Sequence, residues 1–340
     1  MIKKVLTLLL IPCSVFLSGC SIPQDAISTV QNGVESVLAP APNPLSFTAL
    51  KAREYPGSEL QIESELTATA TYTQYVASYM SDGLKIFGLL AIPKGTPPDG
   101  GWPAIIFNHG YIPPEQYRTT EKYEAYVGGF ASKGFVVFKS DYRGHGKSEG
   151  QPTGAYFSPG YTTDVLNAMA SVRRLKEVNK DRIGMWGHSM GGMITLRSLS
   201  VDRSIKAAVI WAGVVVDYPE LINEWQRTNN FRPSPREQAA SRSSRAQLVE
   251  QFGDPNLQSL FWIEISPWAE LPNVETPIQL HHARGDAVVP WEFSQSLYDK
   301  LQALSKPSEL YLYERSDHNL AGAPFSQAMS RSVKYFQEYL

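Results

Sequence analysis

The sequence predicts one α/β domain: a mostly parallel central sheet with helices on its faces and a helical insertion over one edge. Three observations carry this. Apolar runs of strand length alternate with helical stretches from about residue 84 onward, the order that builds a parallel sheet. A serine stands between glycines in Gly187-His188-Ser189-Met190-Gly191, directly after the strand-like run Arg182–Trp186 and before a small-residue helix start at Gly192. The stretch between the run ending at Val216 and the one beginning at Thr276 is too long for an ordinary connection, and we read residues of about 217–270 as a cap.

Taken in order, the chain opens on Lys3-Lys4, an apolar run from Val5 to Phe16, and Leu17-Ser18-Gly19-Cys20. These are the charged, apolar and small-residue regions of an export signal, and the run is short for a membrane span. Its ending resembles the lipobox of bacterial lipoproteins. That resemblance implies removal of residues 1–19 and lipidation of Cys20. It also implies a cell-envelope address, on the periplasmic side of the outer membrane where a cell has two membranes. With Cys13 in the leader and Cys20 acylated, no thiol remains for a disulfide. Residues 20–44 end in Ala39-Pro40-Ala41-Pro42-Asn43-Pro44, an extended tether, and the folded domain is expected over 45–340. A hairpin follows, with strands Tyr72–Tyr79 and Leu84–Ile92 about a turn at Ser81-Asp82-Gly83.

The parallel part begins with the strand Ala104–Phe107 and the loop Asn108-His109-Gly110-Tyr111. After the strand Phe135–Ser140 comes Asp141-Tyr142-Arg143-Gly144-His145-Gly146, whose Asp and Arg we expect to tie the loop to itself. Next is the serine pattern. On a sharp strand-to-helix turn, Ser189 is forced into a strained conformation that lifts its hydroxyl above the sheet edge, and glycines flank it because a Cβ would collide with neighbouring strand and helix. Such a serine needs a histidine base and a carboxylate that fixes the base's tautomer.

Both follow in chain order. The strand Thr276–Leu280 leads to Arg284-Gly285-Asp286, with a new helix opening at Val288-Val289-Pro290, and the strand Glu309–Tyr313 leads to Ser316-Asp317-His318. Asp286 is the expected acid and His318 the expected base. Asp217 and Asp317 are rival acids. His109, His145, His188, His281 and His282 read as packing or loop residues. An oxyanion formed on the attacked carbon would be met by backbone N–H groups, that of Met190 at the helix N-terminus and that of Tyr111, with Gly110 permitting close approach. The Tyr111 ring could instead wall the substrate pocket.

These segments, from Pro103-Ala104 through the serine turn to His318, resemble the α/β-hydrolase superfamily over nearly all the chain after Leu84. Within it, the chain is similar to the catalytic domain of the prolyl oligopeptidase group and to dienelactone-hydrolase-like esterases. The resemblance implies the α/β-hydrolase fold and acyl-group hydrolysis through Ser189, His318 and Asp286. It departs from the peptidases in two ways. Repeated four-stranded propeller units are absent ahead of the domain, and Met190 stands where many of them carry tyrosine. Ester cleavage is therefore expected ahead of peptide cleavage, with a non-catalytic binding lipoprotein as the reading from another class.

Composition agrees with this assignment. A net charge of −2 over 340 residues gives no bias toward nucleic acid, and the His and carboxylate spacings are not those of zinc or calcium sites, so neither metal nor organic cofactor is expected. The expected partners are a small ester or short peptide and, through the lipid, a membrane. In the cap, Trp225, Phe231, Phe261 and Trp262 could line an apolar pocket or simply pack the cap down, whereas Arg232, Arg236, Arg242 and Arg245 read as a solvated face.

Overall fold

The computed structural model describes residues 42–225 and 245–340, and its compact unit runs from Asn43 to Leu340. The leader, Cys20 and all but the last residues of the expected tether lie outside the described residues. The unit opens with α1 (Phe47–Ala52), capped by Ser46, whose hydroxyl accepts the Ala49 N–H at 3.1 Å.

Nine strands form one sheet: β1 (Gln61–Glu65), β2 (Tyr72–Ser81), β3 (Leu84–Pro93), β4 (Trp102–Asn108), β5 (Val136–Ser140), β6 (Val178–His188), β7 (Ala207–Trp211), β8 (Ile278–Ala283) and β9 (Ser308–Tyr313). Their order is β1-β2-β3-β5-β4-β6-β7-β8-β9. The first three are antiparallel, with β3 joined to β5, and from β5 onward the pairs are parallel. The hairpin turn falls at Asp82 and Gly83, where φ is 51° and 77°. Two left-handed residues match the twist of the flanking strands.

Helices α2 (Glu124–Ala131), α3 (Gly160–Val172), α4 (Met190–Val201), α5 (Glu292–Ala303) and α6 (Ala323–Tyr339) connect or follow the parallel strands. Side-chain alternation divides the core in two. Ala104 and Ile106 of β4 join one core with Val165 of α3 and Ile194 of α4, while Ile105 and Phe107 join the other with Phe130 of α2 and Phe336 of α6. Burying one such aliphatic side chain contributes about 1.5–3 kcal/mol, so β4 is held firmly from both faces. It also lies at the switch point of the sheet, because the chain leaves it for β5 on one side and later returns to β6 on the other. Sites in open α/β sheets form in the crevice beyond such strand ends.

One strand is shorter than the sequence predicts. β7 stops at Trp211 rather than continuing to Val216. Ala212 adopts φ 46°, and the chain turns across the start of α4, where the Val214 N–H donates to the Ser189 carbonyl at 3.0 Å. The apolar run continues because these residues pack into the core, not because they pair as strand. In the expected cap, the described residues are helical at Glu220–Glu224, 245–252, Leu260–Ile265 and Pro267–Glu270. No described helix is long and apolar enough to cross a membrane.

Candidate active site

Ser189 is the single residue between β6 and α4, with φ 55° and ψ −119°. A conformation of this kind costs on the order of 1–3 kcal/mol and persists only where its surroundings enforce it. Here both adjoining peptide groups are locked. The Ser189 N–H donates to the Trp211 carbonyl at 3.1 Å, and the Ser189 carbonyl accepts from Gly192 at 2.9 Å and Val214 at 3.0 Å. The flanking glycines have steric causes. A Cβ on Gly187 would lie 2.4 Å from Thr195 Oγ1, and one on Gly191 would lie 1.9 Å from the Asn108 carbonyl oxygen at the end of β4.

The loops after β8 and β9 bring Asp286 and His318 together. Asp286 Oδ2 accepts from His318 Nδ1 at 2.7 Å and from His282 Nε2 at 3.1 Å, while its Oδ1 accepts the N–H groups of Val288 at 2.8 Å and Val289 at 3.0 Å. Burial pushes this carboxyl up, but hydrogen bonds from the two imidazoles and the backbone outweigh it and hold the group well below the usual carboxylate range. It is a fixed anion with no exposed side-chain surface. Since Nδ1 of His318 donates, its neutral form leaves Nε2 as an acceptor, the tautomer a general base requires.

Ser189 and His318 line one cavity of about 450 Å³, together with Met190, Tyr111, Tyr126 and Trp225. Among the described residues the Ser189 hydroxyl has no hydrogen-bond partner, so the serine–imidazole contact is not formed in this structure. Such contacts are often long in unliganded sites and tighten with substrate. The two expected oxyanion donors also border the cavity. Met190 is the first residue of α4, so its N–H has no carbonyl partner within the helix. Gly110 permits the close approach of the neighbouring loop: a Cβ there would sit 3.1 Å from the Ser189 Cβ and 2.8 Å from the Tyr123 hydroxyl.

The rival acids serve elsewhere. Asp217 accepts the Ser266 hydroxyl and ties down the cap, and Asp317 accepts the N–H groups of Asn319 and Ala321 within its own turn. Asp141 and Arg143 do not pair with each other as expected. Asp141 accepts from Tyr117 and Thr119, and burial lifts its pKa to about 6, whereas the Arg143 fork grips Asp164 at 3.0 and 2.7 Å and reaches Asp82. The loop is structural, but it is pinned from outside because its two charges point to different neighbours.

In the cap, Trp225 faces the cavity, with its indole N–H on the Val288 carbonyl at 3.2 Å. Phe261 stacks on Phe252 at 3.7 Å, and Trp262 donates to the Gly253 carbonyl, so both pack the cap. Arg245 donates to the Ile222 carbonyl at 3.1 Å. Phe231, Arg232, Arg236 and Arg242 lie outside the described residues. Among the described residues, no group of three or more His, Cys, Asp or Glu is disposed to hold a metal ion.

Three contacts were not legible in the sequence. His282, at the end of β8, shares the Asp286 Oδ2 oxygen with His318 and has its Nδ1 2.7 Å from the Ser294 hydroxyl. His188 and Tyr123 meet beside Ser189 at 2.8 Å. No local pattern in the sequence marks any of them, because each joins residues that only the fold brings together.

The sheet order, the serine turn after β6, and the acid and histidine after β8 and β9 together define the α/β-hydrolase fold. A family model described as serine aminopeptidase, S33, matches residues 103–251, a span that includes Ser189 but neither Asp286 nor His318. Among curated proteins, the chain is 25% identical over 245 residues to the uncharacterized peptidase YtmA of Bacillus subtilis, covering 72% of this chain and 85% of that one. It is 27% identical over 239 residues to the uncharacterized protein YfhR of Escherichia coli K12, covering 70% of each. Among solved structures, an acetyl xylan esterase from Paenibacillus sp. R4 superposes with a TM-score of 0.61 at 18% identity, over 86% of this chain and 92% of the other. A Pyrococcus horikoshii acylaminoacyl peptidase does so with 0.61 at 23% identity, over 80% of this chain and 42% of its own.

Proposed function

We propose that this chain is a serine hydrolase that cleaves acyl bonds, esters ahead of amides, through an acyl-enzyme. Ser189 attacks the acyl carbon, His318 takes its proton and returns it to the leaving group, and Asp286 holds His318 in the required tautomer. The backbone amides of Met190 and Tyr111 receive the oxyanion. Water then repeats the sequence on the acyl-serine and regenerates the enzyme. The observation that carries this reading is a serine on a strained turn opening into the same cavity as an imidazole fixed by a buried carboxylate.

The lining of the cavity supports esters over aminopeptidase substrates. Among the described residues it carries one cation, Lys122, and no carboxylate, whereas a free α-ammonium group needs an anion to replace its hydration. The family description and the peptidase relative favour the opposite order, and a direct comparison decides. We expect hydrolysis of a short p-nitrophenyl ester and labelling by a fluorophosphonate, both lost in Ser189→Ala, and slower turnover of an aminoacyl p-nitroanilide. Full labelling of Ser189→Ala would overturn the nucleophile, preference for the anilide would reverse the substrate order, and a folded wild type inert to every organophosphonate would favour a binding protein.

The leader and Cys20 support attachment of the domain to a bacterial membrane through lipid. Incorporation of an alkyne-tagged fatty acid into wild type but not Cys20→Ser is the expected result, and equal incorporation into both would remove the proposal.

A further inference from the structure

Beside Ser189 runs a chain of hydrogen bonds whose direction can be assigned atom by atom. The His188 Nε2 lies 2.9 Å from the backbone carbonyl oxygen of His318. A carbonyl only accepts, so Nε2 carries the proton. His188 is buried, and burial followed by the nearness of His318 pushes its pKa down to about 3, so the ring is neutral and its Nδ1 is an acceptor. The Tyr123 hydroxyl, 2.8 Å from Nδ1, must therefore donate to it. That leaves the phenol oxygen to accept the Gly110 N–H, which it does at 2.9 Å. Every donor and acceptor in the line Gly110, Tyr123, His188, His318 is used once and in one sense.

The line joins three segments at the rim of the cavity: the loop after β4, the last residue of β6 and the histidine loop after β9. Tyr123 is placed for it at a conformational cost. It and Lys122 both adopt φ 60° just ahead of α2, uncommon for residues with side chains and found mostly where surroundings enforce it. Its ring also packs edge-on against Phe107 of β4, with centroids 5.4 Å apart.

We propose that Tyr123 and His188 are positioning residues that hold the His318 backbone and the Gly110–Tyr111 loop in register around Ser189. The inference rests on the hydrolase reading. It assigns work to a histidine that borders the cavity beside Ser189 and acts through the His318 backbone. Because His188 is neutral, its ring can lie 4.7 Å from that of His318 without repelling the imidazolium formed in each turnover.

The test uses the intact protein with a p-nitrophenyl ester and a fluorophosphonate. His188→Leu and Tyr123→Phe should lower kcat and the labelling rate by roughly 10- to 100-fold with KM little changed, since small misplacements of reacting groups cost about that much. His188→Gln, whose amide can still donate to the His318 carbonyl, should recover most of the loss. The double variant Tyr123→Phe with His188→Leu should lose less than the product of the two single losses, because the two residues share the bond between them. Single variants within twofold of wild type, no rescue by glutamine, or additive losses in the double variant would each overturn the proposal. Should His188→Leu not fold, Tyr123→Phe and His188→Gln carry the comparison. An unlabelled wild type would sink the hydrolase reading instead, and the geometry is then judged by nitrogen NMR of the imidazoles. A neutral His188 protonated on Nε2 at pH 7 upholds it, and one protonated on Nδ1 overturns it.

Discussion

Replacing Asp286 by asparagine separates the electrostatic role of this carboxylate from its volume. The native group accepts four hydrogen bonds, two from imidazoles and two from backbone N–H groups. An amide offers one oxygen and two N–H donors. If that oxygen stays on the Val288 and Val289 amides, the NH2 faces His318 Nδ1–H and His282 Nε2–H; His282 keeps the Val289 carbonyl at 3.0 Å, whereas the His318 donor loses its acceptor. A buried group left unpaired costs about 1–3 kcal/mol, so destabilisation of about that size is expected. The kinetic effect is larger. His318 escapes the donor clash by moving its proton to Nε2, which then cannot accept from Ser189. Loss of the right tautomer in a serine–histidine–carboxylate system lowers kcat on the order of 10⁴-fold. The assay is kcat and KM on a p-nitrophenyl ester, with thermal melting in parallel to count only folded protein. A folded variant with kcat within tenfold of wild type would refute the assignment of Asp286 as the orienting acid.

Other consequences follow from the same contacts. Gly191→Ala must displace the Asn108 carbonyl, which would lie 1.9 Å from the new Cβ, and both atoms belong to rigid backbone. We expect loss of soluble protein or a cost above about 4 kcal/mol, read by chemical denaturation, and a stable active variant would contradict the steric account. Trp225→Ala removes an aromatic wall of the cavity and should raise KM for an aryl ester about tenfold while leaving kcat near wild type, with unchanged KM placing the acyl group elsewhere. Stability should fall as pH is lowered from about 6.5. Burial depresses the folded-state pKa of His109, His145, His188 and His281, with His145 at about 4 and His188 at about 3. Between those values and about 6.5 the unfolded chain binds the extra protons, so stability is full above the unfolded pKa and is lost on acidification. Asp141, raised to about 6 by burial, and Asp164, also raised by burial, oppose this, since their folded forms bind the extra proton above the unfolded carboxylate pKa. A denaturation midpoint flat from pH 7 to 5 would show the histidines to be solvated.

The sequence reveals those parts of the molecule that local pattern controls. Strands β4, β5 and β6 are written as apolar runs because both faces of a parallel sheet are buried, and the hairpin turn is written as Asp82-Gly83 because two positive φ values need such residues. The serine turn is legible in part for the same reason: Gly187 answers contacts with Thr195 and Gly191 in the same strand–turn–helix unit, whereas Gly191 answers Asn108 and His109 at the end of β4. The end of β7 is not legible, since Ala212–Val216 is as apolar as a strand and turns away only because α4 and the Ser189 carbonyl lie beside it. The partners of Asp141, Arg143 and His282 are hidden in a different way. A charged side chain announces that it needs a partner, but not which of several neighbours 12 to 61 residues away the fold will bring to it.

That difference also explains where the site keeps its rigidity. Ser189 is held by backbone hydrogen bonds at both of its peptide groups, an arrangement fixed once β6, β7 and α4 pack. His318 and Asp286 stand on loops, where backbone pairing is sparse, and their placement falls to side chains: His282 and the Val288–Val289 amides for the carboxylate, His188 for the imidazole backbone. On the proposed mechanism, the loop-borne His318 must return to one position in every cycle while its charge changes. The buried, neutral His188 suits that task because it donates in one direction, fills the space against His318, and takes up no proton near neutral pH.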